Sequence, residues 1–262
     1  MKKVKYCLVF CFLTLFAFSS CIELDNYAEP KETFRGTVYV KGTNKTETLQ
    51  TESTGSGGVR IRMLEYSWSD TPNPYDFYTM RDGRYNNTKI FKGTYNIVLA
   101  GPFVPLIQND ASGNITVDES ITREIKGTVE VDWEVEPFLK IEWVGEPVVN
   151  AAGTKITASC RITRGTSNPN YQQNVTDIYL FINSSSYNVG NDNHDSRYSG
   201  RITGNDAQAA FASGDVITVT TQTDFSPNRD YYVRFGARIN IQTEGTQRYN
   251  YCAPKMVKVL NR

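Results

Sequence analysis

From Ile121 to Val135 the chain alternates almost strictly. Ile121, Ile125, Val129, Val131, Trp133 and Val135 take odd positions, while Thr122, Glu124, Lys126, Thr128, Glu130, Asp132 and Glu134 take even ones. A period of two predicts a strand with one face on a core and the other in water. The same period runs through Val59, Ile61 and Met63, through Tyr95, Ile97 and Leu99, and through Ile156, Ala158, Cys160 and Ile162. It also runs from Tyr231 to Ile241, where Tyr231, Val233, Phe235, Ala237, Ile239 and Ile241 oppose Arg234, Arg238 and Asn240. Ile178–Ile182 is apolar at every position but one and predicts a central strand, and Phe34–Val40 predicts another ahead of a polar loop, 42–58. Only Asp206–Ser213 reads as a helix, so strands and helices do not alternate, which excludes Rossmann-like and α/β-barrel folds. Pro137 interrupts the longest run, and proline is poorly tolerated in a central strand. The expectation is an all-β chain of two consecutive β-sandwiches, 33–136 and 137–262, each folding separately.

The first 20 residues, MKKVKYCLVFCFLTLFAFSS, have the layout of a secretory signal: a basic start, an apolar run and small residues. The run Tyr6–Phe18 covers 13 residues, too few for a bilayer-spanning helix of about 20. Ser19-Ser20-Cys21 then resembles the lipobox of bacterial lipoproteins, in which the cysteine thiol carries the lipid. With Ile22 rather than aspartate next, that resemblance implies a lipid-anchored protein of the outer membrane, at the cell surface. Residues 21–32, polar and aperiodic, read as the tether.

Charge narrows the class of partner. Lys+Arg and Asp+Glu both number 28, for a net charge of zero. Nucleic-acid binding needs clustered basic surface to neutralise phosphates, so no nucleic-acid partner is expected. His194 is the single histidine, which rules out a two-histidine metal site within the chain. Past the signal, Cys160 and Cys252 remain beside Cys21. Cys160 shares a face with Ile156, Ala158 and Ile162, whereas Cys252 lies opposite Tyr249 and Tyr251, so two separated thiols are expected rather than a disulfide.

Two stretches resemble known sandwiches. Thr79-Met-Arg-Asp82-Gly83-Arg-Tyr85 followed by Phe91-Lys-Gly93-Thr-Tyr95-Asn-Ile97 resembles the carboxypeptidase regulatory-like, or transthyretin-like, sandwich. Its Asp-Gly pair suits a turn with positive φ. Phe225-Ser-Pro227-Asn-Arg-Asp-Tyr231-Tyr-Val233-Arg-Phe235 resembles the E–F corner and strand F of fibronectin type III domains, which would make Tyr231 a tyrosine corner. Together with Leu24-Asp25-Asn26-Tyr27, Val59-Arg60-Ile61-Arg62, Asn87-Thr88-Lys89 and Gly101-Pro102-Phe103-Val104-Pro105, the chain resembles the Bacteroidetes family of two-domain surface lipoproteins of unknown function. That resemblance implies a glycan-related surface role beside uptake systems, and no catalytic residue.

The residues themselves bring little catalytic chemistry together. His194 sits in Asn191-Asp192-Asn193-His194-Asp195, a polar loop without a nucleophile pattern or the EF-hand spacing. Glu130, Glu134 and Glu136 on a wet strand face read as solvated, and Gly55-Ser-Gly57-Gly58 lacks the P-loop lysine. No metal site, cofactor or enzyme activity is expected. Trp133 and Trp143 fall in phase with the core. Trp68 is out of phase and opens the loop Ser69-Asp-Thr-Pro72-Asn-Pro74-Tyr75-Asp-Phe77-Tyr78. Tyr66, Trp68, Tyr75 and Tyr78 are therefore the candidate ligand-binding residues, because exposed rings can stack on sugar faces. The long 183–205 loop is the other stretch where a ligand could be held. The expected function is a non-catalytic, membrane-anchored binding module for glycans working with outer-membrane uptake proteins; the alternative is an assembly lipoprotein that docks onto outer-membrane proteins.

Overall fold

Alternation along each strand divides the chain into two hydrophobic cores, one built before Pro137 and one after it. The computed structural model describes residues 28–52, 55–225 and 229–259; Cys21 and the expected signal segment lie outside them. The first half contains β1 (Glu32–Val40), β2 (Arg60–Glu65), β3 (Tyr75–Tyr78), β4 (Arg84–Ile90), β5 (Gly93–Ala100), β6 (Ile107–Asn109), β7 (Ile115–Asp118), β8 (Ile121–Ile125), β9 (Thr128–Glu130) and β10 (Trp133–Val135). One sheet joins β4 antiparallel and β9 and β10 parallel to β1. The other has the order β3-β2-β5-β8, and β6 and β7 form a hairpin apart from both. Phe34, Val38, Ile61, Met63, Tyr95, Ile97, Leu99 and Trp133 meet between the sheets. Each such side chain contributes roughly 1.5–3 kcal/mol by leaving water.

The alternating run 121–135 is thus not one strand. It crosses from the sheet of β5 to the sheet of β1 at Gly127, whose φ of 70° lies in the left-handed region that glycine reaches without strain. The period of two survives the crossing, with Ile125, Trp133 and Val135 all buried.

The second half contains β11 (Leu139–Trp143), β12 (Val148–Val149), β13 (Ile156–Arg164), β14 (Val175–Asn183), β15 (Gly200–Thr203), α1 (Asn205–Ala212), β16 (Ile217–Thr220), β17 (Arg229–Ile239), β18 (Asn250–Tyr251) and β19 (Lys255–Val259). β13 pairs with β11, β12 and β16. Opposite it, β14 is central between β15 and β17, and β17 also pairs β18 and β19. Tyr231 is buried in this core against Phe225, ring centroids 4.7 Å apart; the corner it would bond to, 226–228, lies outside the described residues. Cys160 and Cys252 are free thiols buried in the same core. The face of Cys252 opposite Tyr251 is therefore the core face, and burial pushes its thiol up to about 12.

Three sequence expectations change here. Arg234, read as a wet-face residue of β17, is 0% exposed. The 42–58 segment is no solvated loop, since Leu49, Thr51 and Glu52 are buried. His194 is half-buried and packs edge-on against Phe181 at 5.0 Å. One arrangement explains all three. The outer face of β14, β17 and β18 carries Phe181, Tyr249 and Tyr251, which form a small core with Val189 of the following loop. Gly236 is the floor of this cluster: a Cβ there would lie 2.7 Å from the Tyr251 ring and 2.8 Å from Phe181.

The halves meet through buried polar contacts. Arg234 donates through Nε to the Cys252 carbonyl at 2.8 Å and through Nη1 to the carbonyls of Thr51 at 3.0 Å and Val189 at 3.2 Å. Its guanidinium also lies 4.2 Å from the centre of the Tyr251 ring. Tyr251 donates its hydroxyl to Glu52 at 2.7 Å and accepts from the Asn191 amide at 3.1 Å. Asn250 accepts from the Leu139 amide and donates to the Pro102 carbonyl, 3.0 and 2.8 Å. Thr243 donates to the Gly101 carbonyl at 3.0 Å, so the Gly101-Pro102-Phe103 segment lies at this seam. Burial pulls the Arg234 pKa down to about 10, which leaves it cationic at neutral pH.

Candidate functional site

The β2–β3 connection is an aromatic loop tied to a rigid sheet. β2 pairs β3 from Arg60↔Tyr78 to Met63↔Tyr75, and β5 on its other side up to Glu65↔Tyr95. Beyond Glu65, short polar side chains hold the turn. The Tyr66 amide donates to the Thr94 carbonyl at 3.1 Å, the Thr94 amide to Ser67 Oγ at 2.9 Å, and the Ser67 amide to Glu65 Oε1 at 2.9 Å. Trp68 is 70% exposed, Tyr66 48% and Tyr75 43%. The Tyr75 hydroxyl accepts from Asn87 Nδ2 at 2.8 Å, and its ring lies 6.0 Å from Phe77.

The strand's own alternation separates the four candidate rings. Tyr75 and Phe77 take the face of β3 towards Tyr85, 6.2 Å from Phe77. Tyr78 takes the opposite face, with Asp76, Arg60 and Arg62. Tyr66, Trp68 and Tyr75 sit at the loop end of the sheet, whereas Tyr78 pairs with Arg60 at the far end of β2. The structure adds Phe91, which sequence reading passed over. It is 48% exposed in the turn before β5, and its carbonyl accepts from the Tyr95 hydroxyl at 2.9 Å. Its even spacing from Tyr95 and Ile97 in Phe91-Lys-Gly93-Thr-Tyr95 suggests a core residue; the turn between β4 and β5 breaks that phase.

Charges crowd the face of Tyr78. Arg62 holds Asp76 through two bonds of 2.9 and 2.8 Å, and Arg60 lies 3.5 Å from the same carboxylate and also pairs with Glu244. The Arg62 hydrogen bonds hold the Asp76 carboxyl below its ordinary range, against a burial effect of opposite sign. A planar carboxylate can accept hydrogen bonds from hydroxyl groups, and the guanidinium groups flanking it can donate to them. The expected glutamate row is occupied: Glu130 pairs with Arg35 at 2.9 Å, and Glu136 with Lys41 at 3.0 Å and with Thr166 at 2.8 Å. Among the described residues no group of three His, Cys, Asp or Glu side chains could hold a metal ion.

The 183–205 loop forms a second feature, an open cleft of about 350 Å³ lined by Asn183–Ser185 and His194–Arg197. Asp195 accepts from Arg197 Nε and Nη2 at 3.0 and 2.7 Å, which holds its carboxyl below the usual range. His194 Nδ1 faces the carbonyls of Gly190 and Asn191 at 3.1 and 2.9 Å. Two carbonyls can only accept, so Nδ1 carries a proton.

The comparisons agree with this architecture. Residues 32–136 match the family described as "Protein of unknown function (DUF3823) N-terminal domain", and residues 143–255 match "Domain of unknown function (DUF3823_C)". A DUF3823 protein from Bacteroides uniformis is 37% identical over 88% of this chain and all of its own, with a TM-score of 0.79. Two others share the fold at lower identity. A Bacteroides uniformis protein provisionally described as carbohydrate-binding is 22% identical (TM-score 0.64; 87% of this chain, 99% of that one). A DUF3823 protein from Bacteroides ovatus is 16% identical (TM-score 0.61; 87% of this chain, 100% of that one). No curated protein matches the chain. With both halves matched in order and a relative sharing more than a third of its residues along its whole length, the chain belongs to the DUF3823 family.

Proposed function

We propose that this protein is a non-catalytic glycan-binding module, anchored in the outer membrane through a lipid on Cys21 and serving a polysaccharide-uptake system at the cell surface. The observation that carries the reading is the aromatic end of the first sandwich. Trp68, Tyr66, Phe91 and Tyr75 are each more than two-fifths exposed; Tyr66 and Trp68 lie on a turn held by Ser67 and Glu65, Tyr75 opens β3, and Phe91 comes from the neighbouring β4–β5 turn. Large rings in water on a fixed scaffold supply stacking area with little ordering cost. A Bacteroides uniformis protein that shares the fold at 22% identity is provisionally described as carbohydrate-binding, in keeping with the glycan part of this reading. The second reading, docking onto outer-membrane proteins, draws on the separate β6–β7 hairpin, where Ile115 is 60% exposed.

The test is affinity electrophoresis of the full-length protein, in a non-glycosidic detergent, through gels containing a panel of polysaccharides. On any polysaccharide that retards it, Trp68→Ala should weaken binding about tenfold, equivalent to 1.4 kcal/mol. The anchor is read separately, since Cys21→Ala should move the protein from the detergent phase to the aqueous phase. Absence of retardation across the panel would favour docking.

A further inference from the structure

The outer face of the β3-β2-β5-β8 sheet carries two of the candidate rings on one line. In an antiparallel pair, directly opposite residues share a face: Arg60 with Tyr78, Arg62 with Asp76, and Leu64 with Asn96. Their neighbours Ile61, Met63 and Ile97 are fully buried, so alternation turns this set outwards. The Tyr66 amide continues the ladder by donating to the Thr94 carbonyl at 3.1 Å, and its even spacing from Arg62 and Leu64 keeps it on the outer face. Tyr78 thus stands at one end of a strip and Tyr66 at the other, 40% and 48% exposed. Among the described residues no aromatic ring or cation lies over either of them. From Arg60, opposite Tyr78, to Tyr66 the strand runs about 20 Å, at roughly 3.3 Å per residue.

Between the rings the face is polar, and its charges neutralise one another. Arg62 holds Asp76 through both carboxylate oxygens, and Arg60 pairs with Asp76 and Glu244, so neither guanidinium is a free cation. Glu124 faces Thr94 from β8 and adds a further carboxylate. Two arginines against three carboxylates leave the strip one negative charge, which disfavours an anionic ligand. Asn96, whose Nδ2 donates to Ser120 Oγ at 2.9 Å, adds an amide in a fixed orientation. We propose that this outer face binds one extended, neutral polysaccharide chain along β2. Tyr78 and Tyr66 stack on sugar rings at its two ends, and the Arg62–Asp76 pair meets hydroxyl groups between them. One sugar ring cannot touch both tyrosines, whereas a chain of several units can. Tyr66 is two residues from Trp68, so the path ends at the exposed loop. The proposal rests on the glycan-binding reading above and adds to it a path, a minimum length and a charge class.

Affinity electrophoresis of the full-length protein against neutral glucans, mannans and xylans, and against polyuronates, tests the charge class. Neutral chains should retard it; retardation by polyuronates alone would overturn the assignment. On a retarding polysaccharide, Tyr78→Ala should weaken binding about tenfold, while Tyr78→Phe, which keeps the ring, should stay within about twofold of wild type. Competing oligosaccharides should gain potency with length until they span the strip, and Tyr78→Ala should remove the gain of the longest ones. Because a lost ring can also loosen the sheet, the thermal midpoints of the variants are compared with wild type. Tyr66→Ala repeats the test at the opposite end and should cause a loss of similar size. Full affinity in Tyr78→Ala would overturn the path, and a loss in Trp68→Ala beside it would leave the glycan reading standing. No retardation by any polysaccharide would overturn both.

Discussion

Two strands, β2 and β17, carry arginines on the face away from their cores, and Arg234 of β17 meets conditions opposite to those of Arg60 and Arg62 of β2. On β2, Arg60 and Arg62 share Asp76 at the surface, with side-chain exposures of 15% and 32%. On β17, Arg234 is completely enclosed, with Nε and Nη1 bonded to carbonyls of both sandwiches and Nη2 left without a hydrogen-bond partner among the described residues. Around these arginines the two strands read alike, Arg60-Ile61-Arg62-Met63 on one and Val233-Arg234-Phe235 on the other. The difference comes from what the chain lays on top: over β17 the 184–199 loop and the Thr51–Glu52 segment close, whereas over β2 only the Glu244 turn reaches one end. An arginine left near water can contribute little through its ion pair. One taken out of water must have its N–H groups satisfied, or it destabilises the fold by several kcal/mol.

That contrast predicts the largest effect. Arg234→Ala should lower stability by about 3 kcal/mol or more, because it leaves the Thr51 and Val189 carbonyls and the Glu52 region without their cation. For a chain of this size that is a fall in thermal midpoint of about 10 °C. Arg62→Ala should cost less than about 1 kcal/mol. Comparable midpoints for the two variants in differential scanning calorimetry would show that the seam does not depend on Arg234. A step down, Tyr251→Phe removes a hydroxyl that donates to Glu52 and accepts from Asn191. It should cost about 1–3 kcal/mol, the penalty of a buried polar group losing a partner. A midpoint shift smaller than that of Arg62→Ala would contradict the burial of this network.

These expectations also mark where the sequence was readable. Periodicity disclosed the strands and their core faces: Ile61 and Met63, Tyr95, Ile97 and Leu99, and the β17 series from Tyr231 to Ile239 are buried as their spacing implies, while Ile241, past the end of the strand, is only half-buried. The doubly apolar Ile178–Ile182 stretch announced that β14 would be covered on both sides, and the 184–199 loop is what covers it. Trp68, out of phase, is indeed exposed. What could not be read is contact between segments distant in sequence. Arg234 looks like any wet-face arginine until Thr51, 183 residues earlier, is placed against it. Glu52 looks like part of a solvated loop until Tyr251 donates to it. Within the candidate site, sequence proximity suggested that Tyr75 and Tyr78 would lie together, but an odd separation along β3 puts them on opposite faces. Phe91 reaches its site through a turn, where period carries no information.

The smallest effect concerns the exposed side of the comparison and depends on pH. Asp76 has its carboxyl pKa lowered from 3.8, first through its hydrogen bonds to Arg62 and then through the charges of Arg60 and Arg62, with burial opposing. A group whose folded pKa lies below its unfolded one adds stability in its ionised form. That contribution is fully present above the unfolded value near 4 and is lost as the pH falls through the lower folded value. Asp76→Asn should therefore melt slightly below wild type at pH 7, by less than about 1 kcal/mol at this partly solvated site. The gap should narrow as the pH is lowered from 4 towards 2, because the wild-type carboxyl becomes neutral as well. Added salt should shrink it too, since solvent-accessible charges are screened. Thermal midpoints of both proteins from pH 7 downwards check this. A gap that stays constant across the range would mean that Asp76 acts through packing or hydrogen-bond shape rather than charge. The β2 arginines would then resemble Arg234 more closely than their exposure implies.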